Sequence, residues 1–145
     1  MAEATMGAPR MEARRTEVST GKLWTGRGIA GLLALFFLFD AAMKFVQPKP
    51  VVKAFVQSGW PIGVSSTLGA LLLASTILYL IPRTSILGAI LLTGYLGGAV
   101  AANLRLENPW FSHTLFPVYF GVLVWGSLWL RDPELQQLVP PRQNR

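Results

Sequence analysis

The chain has 145 residues, of which 52% are hydrophobic and only 14% charged, a balance too apolar for an ordinary soluble protein of single-domain length. Its net charge of +6 comes from lysines and arginines that flank apolar blocks instead of clustering on one face, which argues against a nucleic-acid partner and for contact with anionic lipid headgroups. With no cysteine there can be no disulfide, thiolate-ligated iron–sulfur cluster, Cys-type zinc site or thiol nucleophile, so a redox role would need a bound organic cofactor such as a quinone or flavin.

Residues 1–24 read as a disordered basic cytoplasmic tail. Glu3, Glu12 and Glu17 set it apart from acid-poor transit peptides, and no small-x-small cleavage site follows the first apolar block. Arg14-Arg15 lacks the apolar run that a twin-arginine signal wants directly behind it. Met1, Met6 and Met11 are each candidate starts.

A membrane-spanning helix needs about 20 mostly apolar residues, because about 30 Å of hydrocarbon is covered at about 1.5 Å per residue. Four blocks meet this, at about 26–46, 61–81, 84–104 and 112–130, within a domain of residues 25–131. The first opens on Gly26-Arg27-Gly28-Ile29-Ala30-Gly31, a G-x-G-x-x-G string without the preceding strand and soluble helix of a dinucleotide site. Close helix packing is the expected use of these glycines.

Further along the same block, Asp40 and Lys44 form an i, i+4 pair with the acid N-terminal, on one face with Phe36 and Met43. Counted from Arg27, they lie roughly 20 and 25 Å along the helix, in the outer half of the bilayer. Two readings stand: Lys44 reaches the outer headgroups with Asp40 as its partner, or the two wall a polar pocket.

Gln47-Pro48-Lys49-Pro50 ends the block, since proline lacks a donor and pushes its predecessor out of the helical region. Val51 to Val56, apolar with Lys53, is expected to lie on the outer surface as a short amphipathic helix. Pro61 suits the first helical position of the second span. Ile81-Pro82-Arg83-Thr84-Ser85 is a tight turn with hydroxyl caps, which makes spans two and three an antiparallel hairpin.

In the third span Gly94, Gly98 and Ala102 form one small-x-x-x-small stripe, with Gly97 and Ala101 beside it. Such stripes let backbones approach in lipid, and the expected partner is the bundle itself, with this helix at its centre; a homodimer seam is the alternative. The span delivers Asn103, Arg105 and Glu107 to the outer end, where His113 begins the fourth span. Pro117 cannot donate to the carbonyl of His113, which leaves an acceptor there, and histidine carries protons near neutral pH. Residues 132–145 read as a cytoplasmic C-terminal tail.

Arg10, Arg14, Arg15, Lys22, Arg27, Arg83, Arg131, Arg142 and Arg145 fall on one side, against Lys44, Lys49, Lys53 and Arg105 on the other. The positive-inside rule therefore places both termini in the cytoplasm of a multi-pass protein in the cell (inner) membrane. Trp24, Tyr79 and Trp129 are expected at the inner interface, Trp60 and Trp110 at the outer one. One histidine and no cysteine build no metal site, and Ser112-His113 with Asp40 lacks a nucleophile elbow, so a hydrolase is not expected.

The segments Phe39–Lys44 (FDAAMK), Leu78–Thr84 (LYLIPRT), Gly88–Ala101 (GAILLTGYLGGAVA), NPWFSH, LFPVY and Trp129–Asp132 (WLRD) resemble the DoxX-like family of small four-helix bacterial membrane proteins. The resemblance runs from Leu32 to Leu138 and implies an all-α, four-transmembrane-helix bundle. The wider family resembles the membrane subunit of a thiosulfate:quinone oxidoreductase, which implies a link to quinones by analogy alone, with no quinone motif carried over residue by residue.

These observations lead to a non-enzymatic subunit or accessory protein with membrane or redox partners and no evident cofactor. The alternative is a quinone- or lipid-linked oxidoreductase component whose outer pocket is formed by Asp40, Lys44, Asn103, Arg105 and His113. A small transporter is a third reading, weakened because no polar chain continues from this cluster to the cytoplasmic side.

Overall fold

The computed structural model describes residues 19–139, and the expected tail arginines Arg10, Arg14, Arg15, Arg142 and Arg145 lie outside them. Six helices follow one another: α1 (Thr20–Val46), α2 (Lys49–Gln57), α3 (Gly63–Leu80), α4 (Ser85–Arg105), α5 (Phe116–Arg131) and α6 (Pro133–Leu138), with a π-helical segment, Trp110–Thr114, before α5. No strand occurs among the described residues.

Each boundary has a local cause. Gln47 takes the left-handed conformation (φ 51°) and its N–H bonds the Met43 carbonyl at 3.0 Å, closing α1 before Pro48. The expected outer amphipathic helix is α2, which half-buries Val51, Val52 and Phe55 and leaves Lys49 and Lys53 exposed. Pro61 precedes α3 by two residues instead of opening it: the Val64 N–H bonds Pro61 and the Ser65 N–H bonds Ile62, so the chain enters the helix through a tighter turn.

In the α3–α4 turn the Thr84 hydroxyl donates to the Leu78 carbonyl (2.9 Å) and the Ser85 hydroxyl to that of Pro82 (3.1 Å). They tie the turn shut and do not cap α4, whose N-terminus has no side-chain cap.

Four segments are long and apolar enough to cross a membrane: Thr20–Val46, Gly63–Leu80, Ser85–Arg105 and Trp110–Arg131. Only 28–33% of each apolar stretch is buried inside the bundle, so most of an apolar surface faces outward, as it does where lipid is the solvent. The chain is an all-α integral membrane protein.

The spans pack as a ring, α1 against α3 and α5, and α4 against the same two. The third span, α4, is therefore one of four equal walls and not a central helix. The starts of α1 and α4 and the ends of α3 and α5 share one end of the bundle, called here the terminal end; α2 lies at the other. The core between the walls is made of Leu33, Phe37, Leu72, Leu92, Val124 and Leu128 with small residues between them. Two of its buried hydroxyls are satisfied within their own helix, Ser75 on the Leu71 carbonyl (2.7 Å) and Thr76 on that of Leu72 (2.8 Å).

Close backbone packing occurs where the small-residue stripe does not lie. A Cβ on Gly26 would sit 2.9 Å from the Ser127 carbonyl oxygen, one on Gly69 3.2 Å from that of Ala41, and one on Gly88 against the backbone of Tyr79. Gly94, Gly97 and Gly98 meet nothing within 4 Å. With Ala101 they are exposed, and Ala102 is half-buried. The expected packing of that stripe inside the bundle is thus corrected: Ala89, Leu92 and Leu96 form the inward face of α4, and the stripe lies away from them.

Tyr79 is corrected as well. It is wholly buried, its hydroxyl bonded to the Val124 carbonyl (3.1 Å) and the Ser127 hydroxyl, so it is a core residue and not an interfacial ring.

Candidate functional site

Lys44 is drawn into the bundle by its backbone. Gly69 has no side chain to keep α3 away from α1, and the buried Ser65 hydroxyl donates to the Lys44 carbonyl at 2.9 Å. The ammonium then bonds both carboxylate oxygens of Asp40, at 2.7 and 2.6 Å. The Lys44 side chain is 15% exposed and that of Asp40 36%, so the lysine is the more enclosed partner. A charge held there needs its counter-charge, and a bidentate pair supplies it with no net charge.

Across from the pair, α4 presents Tyr95, whose ring centroid lies 6.0 Å from Lys44 Nζ. Two turns further on, Asn103 is pinned at both ends of its amide: Nδ2 donates to the Ala99 carbonyl (3.0 Å) and Oδ1 accepts from Asn108 Nδ2 (2.8 Å).

The fourth wall arrives through the π-helical segment. There Thr114 N–H reaches the Pro109 carbonyl (3.3 Å) and Leu115 N–H that of Trp110 (2.8 Å), each across five residues. The wider turn ends where α5 begins, and Pro117 sits in that first turn, where a missing donor is harmless. His113 itself is exposed, with Nδ1 2.7 Å from the Ser112 hydroxyl.

Asp40, Lys44, Asn103 and His113 line one cavity of about 400 Å³; Arg105, exposed at the end of α4, does not line it. The cavity has two chemistries. The four residues just named, with Tyr95 and Ser112, are its polar lining, and Phe36, Phe37, Phe116 and Phe120 its aromatic lining. Those rings are mutually packed, with Phe36 4.5 Å from Phe120 and Phe116 4.7 Å from Phe120, centroid to centroid.

Sequence reasoning missed Tyr95 and most of the phenylalanine wall. A tyrosine in the middle of an apolar span was the available signal, since a phenolic hydroxyl in lipid must find a polar neighbour. Asp40 bonds Lys44, and His113 Nδ1 is paired with the Ser112 hydroxyl, so no Ser–His–Asp relay is assembled from these residues. Among the described residues no three histidine or acidic side chains come together to hold a metal ion.

About 300 Å³ is the lower bound for a small-molecule pocket, the phenylalanines offer a stacking wall, and Lys44 keeps a third N–H beyond the two given to Asp40. A family model described as the DoxX-like family matches residues 28–127, which includes every wall of the cavity. No curated protein and no solved structure matches the chain.

Proposed function

The chain belongs to the DoxX-like family, and on that premise we propose that it is a membrane subunit that holds a lipid-soluble, ring-headed carrier of the quinone class in the Asp40–Lys44 cavity. One observation carries the reading: a bidentate ion pair, Tyr95 and Asn103 share a cavity of about 400 Å³ with a cluster of packed phenylalanines. A quinone supplies two-electron, two-proton chemistry when bound. The chain's own part is to accept the ring against the phenylalanines, donate a hydrogen bond to it from the remaining N–H of Lys44, and offer the imidazole of His113 beside it.

We read the chain as a binding subunit that works with a redox partner. The exposed Gly94, Gly97, Gly98 and Ala101 supply a surface on which a partner helix, or a second copy, packs closely. Arg27, Arg83 and Arg131 at the terminal end support an inner-membrane orientation with that end cytoplasmic.

The test is quenching of tryptophan emission by a short-chain quinone added to the purified protein in detergent. Asp40→Asn and His113→Ala should each weaken binding about tenfold, the weight of a single hydrogen bond of ~1.4 kcal/mol. Binding left unchanged in both variants refutes the site. Repeated recovery of the monomer alone from mild detergent counts against a partner.

A further inference from the structure

We propose that the cleft at the terminal end of the bundle binds the phosphate of an anionic phospholipid headgroup, independently of the quinone cavity at the other end. Three guanidinium groups from three separate elements line it: Arg27 of α1, Arg83 of the α3–α4 turn and Arg131, the last residue of α5. The cleft encloses about 770 Å³, and toward the membrane interior its wall is apolar, with Ala30, Leu80 and Leu128. That is the shape of a headgroup site with room for the start of an acyl chain.

Arg131 is the fixed member. Its Nη2 donates to the Tyr79 carbonyl at 2.9 Å and its guanidinium carbon lies 4.5 Å from the Tyr79 ring centroid. Its Nε is enclosed by protein without an acceptor, so Nη1 and the second N–H of Nη2 are the donors a ligand meets. Guanidinium groups bind phosphate oxygens through paired N–H donors, and three of them around one cleft match a tetrahedral anion from several sides.

Two carboxylates, Asp132 and Glu134, also border the cleft, which leaves three positive charges against two negative. Asp132 is committed elsewhere: its Oδ1 accepts the N–H groups of Glu134 and Leu135 and caps α6. Among the described residues, none of the three arginines forms an ion pair with a carboxylate.

The depth selects a lipid over a soluble ligand. The apolar spans end at Leu80 and Arg131, and Trp24, exposed and 6.0 Å from the Arg27 guanidinium, has the amphipathic ring that settles at the headgroup layer. Basic pockets between transmembrane helices at this level are where anionic headgroups are held.

The experiment is native mass spectrometry of the full-length chain released from neutral detergent, titrated with phosphatidylglycerol, phosphatidylcholine or inorganic phosphate. Phosphatidylglycerol should be retained over phosphatidylcholine, and Arg27→Gln and Arg83→Gln should each weaken that retention about fivefold without changing phosphatidylcholine retention. A Lys49→Gln, Lys53→Gln pair at the opposite end serves as the charge control and should leave retention intact. Arg131→Gln is left out of the decision because Arg131 braces Tyr79 and its loss endangers folding.

Equal phosphatidylglycerol retention by the parent and the Arg27→Gln, Arg83→Gln double variant overturns the site, as does an equal loss in the lysine control. Inorganic phosphate that displaces the lipid at comparable concentration overturns the lipid assignment in favour of a soluble phosphate.

Discussion

Gly88 lies directly against the backbone of Tyr79, so close that a Cβ on Gly88 would fall 2.5 Å from the Tyr79 Cα. Through that contact α4 meets α3, and Tyr79 in turn bonds Val124 and receives the Arg131 guanidinium on its carbonyl, which ties α5 to the same point. One bare backbone position therefore sets the relative placement of three spans.

Gly88→Ala should lower stability by about 1–3 kcal/mol, since the atoms it displaces are backbone and cannot rotate aside. Gly94→Ala and Gly97→Ala, which meet open space, should stay within about 0.5 kcal/mol of the parent. Thermal unfolding of the three variants in one detergent makes the comparison, and equal losses would show that the outward stripe packs after all.

The Asp40–Lys44 pair should behave as a unit. Asp40→Asn or Lys44→Met alone leaves an uncompensated charge or a stranded carboxylate, whereas the double variant removes both together. A double-mutant cycle on thermal stability should give a coupling of about 1–3 kcal/mol. Additive losses would mean that each group is solvated separately.

Tyr79→Phe should cost about 1 kcal/mol, the worth of a buried hydroxyl's bonds, with the ring's packing under Arg131 retained. Ser127 keeps its own bond to the Val124 carbonyl (3.2 Å), so no new orphan is created. A loss several times larger would show that the hydroxyl organises the α3–α5 contact and does not merely occupy it.

Because the chain has no cysteine, single cysteines report sidedness cleanly. With a membrane-impermeant maleimide on intact cells, Lys53→Cys in α2 should label at once and Arg83→Cys only after permeabilisation. The reverse pattern would invert the proposed orientation.

The four spans were legible from length and apolarity alone because the thickness of the hydrocarbon dictates both, although α1 begins at Thr20, inside the stretch 1–24 expected to be a disordered tail. The α3–α4 hairpin followed from Pro82, and α2 from Lys53 among apolar residues, each a local rule about backbone donors or amphipathic faces. Within the candidate site, the Asp40–Lys44 contact was legible for the same reason: i, i+4 spacing on one helix needs no knowledge of neighbours. The grouping of Asn103 and His113 with that pair followed from antiparallel threading, which brings those chain positions to one end of the bundle.

Helix rotation was not legible. In a soluble bundle the apolar stripe marks the inward face, but here lipid and core are both apolar, so the sequence carries little angular preference about each helix axis. For that reason Gly94 and Gly98 looked like packing positions although Gly26, Gly69 and Gly88 meet the neighbouring backbones, and Tyr79 looked interfacial although it is core. The same freedom hid Tyr95 and admitted Arg105 to a cavity it does not line. The sequence by itself determined what crosses the membrane, where each span stops and which charges pair along one helix; only the tertiary structure decided which face of each span turns inward, because that choice rests on shape and hydrogen bonding between helices and not on hydrophobicity.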